Sequence, residues 1–227
     1  MKKKFVLPFL AGLCLIIVTV GVVMFFGKTH KSSKITSMEY SISGFAGIEI
    51  EGAWDVVIEK SYIYGIKIQI SESDMKDLVV EKKENVLDIA INKSFFSFDD
   101  STYKKTISIT MPQLKYIGSS GSSRIMVKGF ESEELKIRNA GSGIVIGEKS
   151  RIDKLLTYIA GSADIDFFEA EVKNANVDIL GSGKLRLNMT GGDLTGTING
   201  SSDIIYRGTV KIMNIHELGS SSVKKVQ

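Results

Sequence analysis

The stretch ILGSGKLRL, residues 179–187, sets a Gly-Ser-Gly between two segments that alternate apolar and polar residues. Taken alone it reads as a turn joining two strands. Close variants recur in NAGSGIVI (139–146), IAGSADIDF (159–167), INGSSDII (198–205) and ELGSSSV (217–223). The Gly-Ser pairs begin at Gly121, Gly141, Gly161, Gly181, Gly200 and Gly219, at spacings of 20, 20, 20, 19 and 19. Low-complexity sequence has no reason to hold such a period. A solenoid with one coil per repeat does.

The residues between the glycines support that reading. Four places after each Gly stand Ile125, Val145, Ile165, Leu185, Ile204 and Val223, and six places before the next stand Leu135, Leu155, Ala175, Leu194 and Met213. Each coil is therefore expected to hold two short strands whose inward side chains stack on those of the next coil. Parallel strands lie about 4.8 Å apart, so the corner must recur at the same place in every coil. Glycine accepts either sign of φ there, and the following serine can satisfy backbone left unpaired, giving a stacked serine ladder. The fold expected is all-β: a single-stranded parallel β-helix with coils of about 20 residues, preceded by one N-terminal transmembrane helix. A catalytic role for the serines is excluded by chemistry. The only histidines are His30 and His216, and no G-x-S-x-G elbow occurs.

These Gly-Ser corners, preceded by TISITMPQLKYIGSSGSSRIMVKG (106–129), resemble the head GIN domain family of bacterial envelope proteins. Pro112 and Leu114 match the family's Pro-x-Leu before the first corner. Gly161-Ser162-Ala163-Asp164 and Gly200-Ser201-Ser202-Asp203 match its later Gly-Ser-Gly-Asp corners most fully. FAGIEIEGAWDVVIEKS (45–61) is similar to its opening strand pair, so the likeness spans roughly residues 40–222. It implies a β-helical envelope domain of adhesin-like type and no established activity.

Residues 38–120 are less regular and are expected to form irregular first coils of the same domain, ahead of the regular coils at 121–222. Strands are expected near 46–50, 54–59, 65–71, 78–82, 86–92 and 105–111. KKEN (82–85) reads as a hairpin-like turn and SESDMKDL (71–78) as a short helix or loop.

The N-terminus carries a targeting signal. Residues 1–4 are basic, and residues 5–26 hold no charge. Twenty-two residues at about 1.5 Å each span a hydrocarbon core of about 30 Å. No small-residue cleavage site follows Phe26, and Leu13 stands where a lipoprotein signal requires a small residue, so an uncleaved signal anchor is expected, with secretion after cleavage as the alternative. Residues 27–37 read as a basic polar tether to a domain at 38–227. Positive charges flank the apolar run on both sides, so the positive-inside count only weakly favours an extracytoplasmic C-terminal domain. The formal net charge of +3 is local: six lysines lie before residue 35 with no acid among them, leaving 23 basic against 26 acidic residues. That balance excludes a nucleic-acid footprint. Cys14 is the sole cysteine, so no disulfide can form within the chain.

Positions three and five after each corner Gly point outward. Successive late coils place there Asp164 and Asp166, then Lys184 and Arg186, then Asp203. Acid, base and acid at strand spacing read first as an exposed ion-pair ladder. The sharper reading is a polysaccharide lyase with carboxylates holding Ca²⁺. It is disfavoured because the basic coil separates the acidic ones, and calcium takes six to eight oxygens. A second candidate surface is SFFSFDDSTY (94–103), whose Phe95, Phe96 and Phe98 could form an aromatic contact patch or a lid on the solenoid end. No metal-ligand or cofactor-binding motif is present. The sequence thus points to a non-enzymatic, membrane-anchored β-solenoid that binds a protein or glycan. A carbohydrate-active enzyme and a self-associating structural element are the alternatives.

Overall fold

The computed structural model describes residues 34–92 and 104–227. Lys34–Gln227 form one compact unit. Strands β2 (Gly47–Gly52) and β3 (Asp55–Lys60) make the first coil; β8 (Tyr116–Gly121) and β9 (Arg124–Lys128) stack on it in parallel register. The regular coils follow as β10 (Glu131–Gly141), β11 (Ile144–Gly161), β12 (Asp164–Gly181), β13 (Lys184–Thr190), β14 (Leu194–Gly200), β15 (Asp203–Thr209), β16 (Met213–Gly219) and β17 (Ser222–Lys225). All their pairings are parallel.

The corners line up in one file. Gly121, Gly141, Gly161, Gly181, Gly200 and Gly219 pair in register, each with φ between +111° and +137°. A side chain is strained at such φ, and at Gly161 a Cβ would also lie 2.5 Å from the Gly141 carbonyl oxygen. The file has an earlier member, Gly52 (φ +111°), paired with Gly121. The 20-residue period misses it because Trp54 and Ser123, which face each other across this corner, are 69 residues apart.

The serine ladder works differently from the expectation. Ser122, Ser142, Ser162, Ser182, Ser201 and Ser220 are exposed, and it is their backbone N–H groups that donate to the preceding corner carbonyls, at 2.8–3.0 Å. The structural hydroxyls lie one place further on. Ser123 Oγ donates to the Gly52 carbonyl and Ser202 Oγ to the Gly181 carbonyl, each at 3.0 Å. In the intervening coils Gly143, Ala163 and Gly183 occupy that buried place.

β11 and β12 each run as one strand of 18 residues rather than two short ones. Their register shifts between Ile146 and Arg151, around Lys149, whose φ is +50°. Beyond this bend Ser150 and Ile152 are buried, and so is Leu155, with two exposed residues between Ile152 and Leu155. That doubled step is a second change of direction. Inside the coils the files close the core: Ile125, Val145, Ile165, Leu185 and Ile204 are all fully buried. One file is polar in part. Ile50, Ser119, Asn139, Ile159, Ile179 and Ile198 stack by register, and neither amide atom of Asn139 has a hydrogen-bond partner among the described residues.

Residues 35–111 depart most from the expected coils. β4 (Gly65–Ser71), α1 (Glu72–Met75), β5 (Leu78–Lys83), β6 (Val86–Ile91) and β7 (Thr106–Met111) fall close to the segments read from sequence. They do not coil. β4 runs antiparallel to β7, and β5 to β6 through a turn at Glu84, which adopts φ +53°. These arms extend the two faces of the solenoid, with β7 pairing to β3 and β6 to β2. Ile35–Tyr40, assigned in part to the tether by sequence, form strand β1, antiparallel to β4. Alternation in ITSMEY is too short and polar to signal a strand; the partner supplies it. Among the described residues no helix is long and apolar enough to cross a membrane. The expected anchor at 5–26 and the aromatic candidates Phe95, Phe96 and Phe98 lie outside the described residues.

Candidate binding surface

The five charged residues singled out above meet on one outer face. Register places Asp164 beside Lys184 and Lys184 beside Asp203, with Asp166 beside Arg186. Strand alternation turns these side chains outward, because Ile165 and Leu185 between them fill the core. Their contacts are made with one another, with the backbone and with the Ser222 hydroxyl. Asp166 Oδ2 accepts from Arg186 Nη1 at 2.7 Å while its Oδ1 accepts from the Phe168 N–H at 3.1 Å. Asp164 Oδ1 accepts the Lys184 backbone N–H at 2.9 Å, and Asp203 shares a short hydrogen bond with Ser222. The carboxylates are thus tied coil to coil and do not converge. Among the described residues no group of three or more His, Cys, Asp or Glu is placed to hold a metal ion.

The structure adds three residues to this surface. Phe168 carries the Arg186 guanidinium 4.1 Å from its ring centroid and that of Arg207 at 5.2 Å. Arg207 also donates to the Phe168 carbonyl and to Glu169. Two cations over one ring, each with an acidic partner, form a compact cation–π group. Beside it a groove of about 450 Å³ is lined by Lys149, Arg151 and Glu171, with Arg151 and Glu171 paired at 3.0 Å. Sequence reading stopped at the sixth place after each corner, and Phe168 and Arg207 are seventh. Continuing the outward file one step would have found them.

A different polar pair lies on β2 and β8. Tyr116 Oη donates to Glu49 Oε2 at 2.5 Å, and burial first, then the carboxylate, raises the phenol pKa. Gly118, in register with Glu49, leaves the space that this carboxylate fills.

Comparison with known proteins agrees with this architecture. No curated protein matches the chain. A crystallised adhesin-named protein of Bacteroides fragilis superposes with TM-score 0.68 at 18% identity, covering 85% of this chain and 97% of its own. One from Parabacteroides merdae, also named an adhesin, gives TM-score 0.54 at 20% identity, over 86% and 97%. A protein of Parabacteroides distasonis titled as lipid binding gives TM-score 0.55 at 22% identity, over 86% and 97%. Likeness at such identity speaks to the fold. The profile described as "Putative auto-transporter adhesin, head GIN domain" matches residues 44–210, well over half of the chain. By that match the protein belongs to the head GIN domain family.

Proposed function

We propose that this protein is a non-enzymatic, membrane-anchored binding module of the cell envelope, its solenoid held outside the membrane by residues 5–26. The observation that carries the reading is the pinned outer face. Asp164, Asp166, Arg186 and Asp203 each have a partner on a neighbouring strand or an adjacent turn, so the surface is rigid and presents fixed polar and cation–π groups. Preorganised surfaces lose less entropy on binding. A lyase needs the opposite arrangement, with unpaired groups converging on a reacting atom. Family membership and the adhesin names of its structural relatives support the same reading.

The test has two arms. Residues 34–227, immobilised, should retain a protein or glycan from envelope extracts; retention of nothing would remove the reading. Fractionation should leave the chain in the membrane at full length. A mature protein beginning within residues 28–38 would make it secreted instead.

A further inference from the structure

The second surface of interest lies at the other end of the molecule. The loop joining β3 to β4, SYIY (61–64), presents Tyr62 at 95% exposure and Ile63 at 76%. Large apolar side chains this exposed and adjacent call for an explanation. The loop is held from both sides. The Ser61 N–H donates to the Met111 carbonyl at 2.9 Å, and Ser61 Oγ accepts the Ile63 N–H at 3.1 Å. On the far side Tyr64 Oη donates to the Phe45 carbonyl at 3.0 Å, with the two rings 4.9 Å apart. The exposed pair is therefore displayed on a fixed frame.

That loop walls an open cleft of about 790 Å³, within the range that holds small ligands. Tyr40, Tyr62 and Tyr64 line it together with the hydroxyl-bearing Ser41, Ser108 and Thr110 and three isoleucines. Gly65 keeps the floor open, because a Cβ there would lie 2.8 Å from Thr110 Oγ1. One acid and one base, Glu39 and Lys67, stand at the rim 3.7 Å apart and exposed, close enough to share a ligand hydroxyl.

We infer that this cleft binds a neutral saccharide, with Tyr62 as its stacking platform; the inference rests on the binding-module reading above and gives it a ligand class. The lining decides the class. Planar rings together with hydroxyls match the apolar C–H faces and polar edges of sugar rings, whereas an acyl chain needs a continuous aliphatic groove. Here Ile42, Ile63 and Ile66 share the lining with tyrosines, serines and a threonine. A balanced acid and base favour neither a polyanion nor a polycation. Tyrosine supplies such amphipathic contact with few rotatable bonds to fix.

The experiment uses residues 34–227, whose core is complete within that unit. Cellohexaose, chitohexaose and maltohexaose are titrated by calorimetry against the wild type and three variants, with phosphatidylglycerol–phosphatidylethanolamine vesicles as a parallel probe. At least one saccharide should bind. Tyr62→Ala should weaken it about tenfold or more, while Tyr62→Phe, which keeps the ring, retains most of the affinity. Arg186→Ala, on the outer ladder, serves as the variant of the competing surface. Saccharide binding that survives Tyr62→Ala but falls with Arg186→Ala would overturn the cleft and leave the binding module standing. Binding of vesicles with no saccharide, or of none of the probes, would overturn the saccharide assignment. In that case retention from envelope extracts decides the broader reading separately.

Discussion

The regular coils from Gly121 to Gly219 and the arms between Ile35 and Met111 build the same two faces by different connections. In the coils a glycine corner recurs once per turn, so every neighbour is parallel and about twenty residues away. In the arms the chain reverses instead, through the turn at Glu84 and the loop at 61–64, so the arm strands pair antiparallel with one another at irregular separations. Yet β7 continues the outer face through β3, and β6 continues the other through β2. What the sheets require is a partner strand with its apolar alternation in phase. The direction of that strand is free.

If the two regions share one core, an equivalent insult should cost each the same. Leu185 lies in a coil and Ile109 in an arm, and both are essentially fully buried. Leu185→Asp and Ile109→Asp should each destabilise by about 4 kcal/mol or more, since a carboxylate enters an apolar stack. Both should lower the urea midpoint in a single transition. Two separate transitions would divide the regions.

The next effect belongs to the coils alone. Gly161→Ala places a side chain at φ +114° and against the Gly141 carbonyl, and should cost about 2–3 kcal/mol. Gly191 has φ +101° but nothing within 4 Å of a Cβ, so Gly191→Ala should cost only about 1 kcal/mol. Equal losses in thermal melts would mean that corner stacking is not what selects glycine. A smaller change of opposite sign is expected at Asn139. Its neighbour in the next coil is Ile159, and Asn139→Leu should raise stability by about 1 kcal/mol by removing a buried amide with no partner among the described residues. Smallest is the outer ladder. Asp166→Ala breaks a partly exposed pair worth about 0–1 kcal/mol, and its effect should shrink in high salt.

Legibility followed the same division. The corner glycines, the inward files and the outward Asp166–Arg186 pairing were readable, because a fixed period turns sequence distance into spatial adjacency. Gly52 carries the same corner, but no period reaches it across the inserted arms. Nor could sequence show that Ile35–Tyr40 is a strand, since its antiparallel partner β4 begins 25 residues after β1 ends. The ladder residues were found, whereas Phe168 and Arg207 lie one outward place beyond the positions read. The cleft was not legible at all. Tyr40, Tyr62 and Thr110 come from three separate segments that meet only once the arms fold antiparallel.

The coil of β16 and β17 carries charges in its inward file. Its inward places hold Glu217, in register with Ile198, and Lys225, in register with Tyr206. Another coil would bury both charges, and inward-pointing charges are a known guard against edge pairing. Met213 and Leu218 in the same coil are 53% and 46% exposed.

The central claim is that the corners stack in a single file at one strand spacing per coil. The only cysteine is Cys14, so residues 34–227 accept spin labels at chosen pairs without competition. Pairs placed by Ser122→Cys with Ser182→Cys, Ser201→Cys or Ser220→Cys are three, four and five coils apart. Their backbone separations should rise in equal steps, to about 14, 19 and 24 Å. Distances by pulsed electron resonance that increase by that constant step would establish the file. Distances that fail to increase in this order would contradict it.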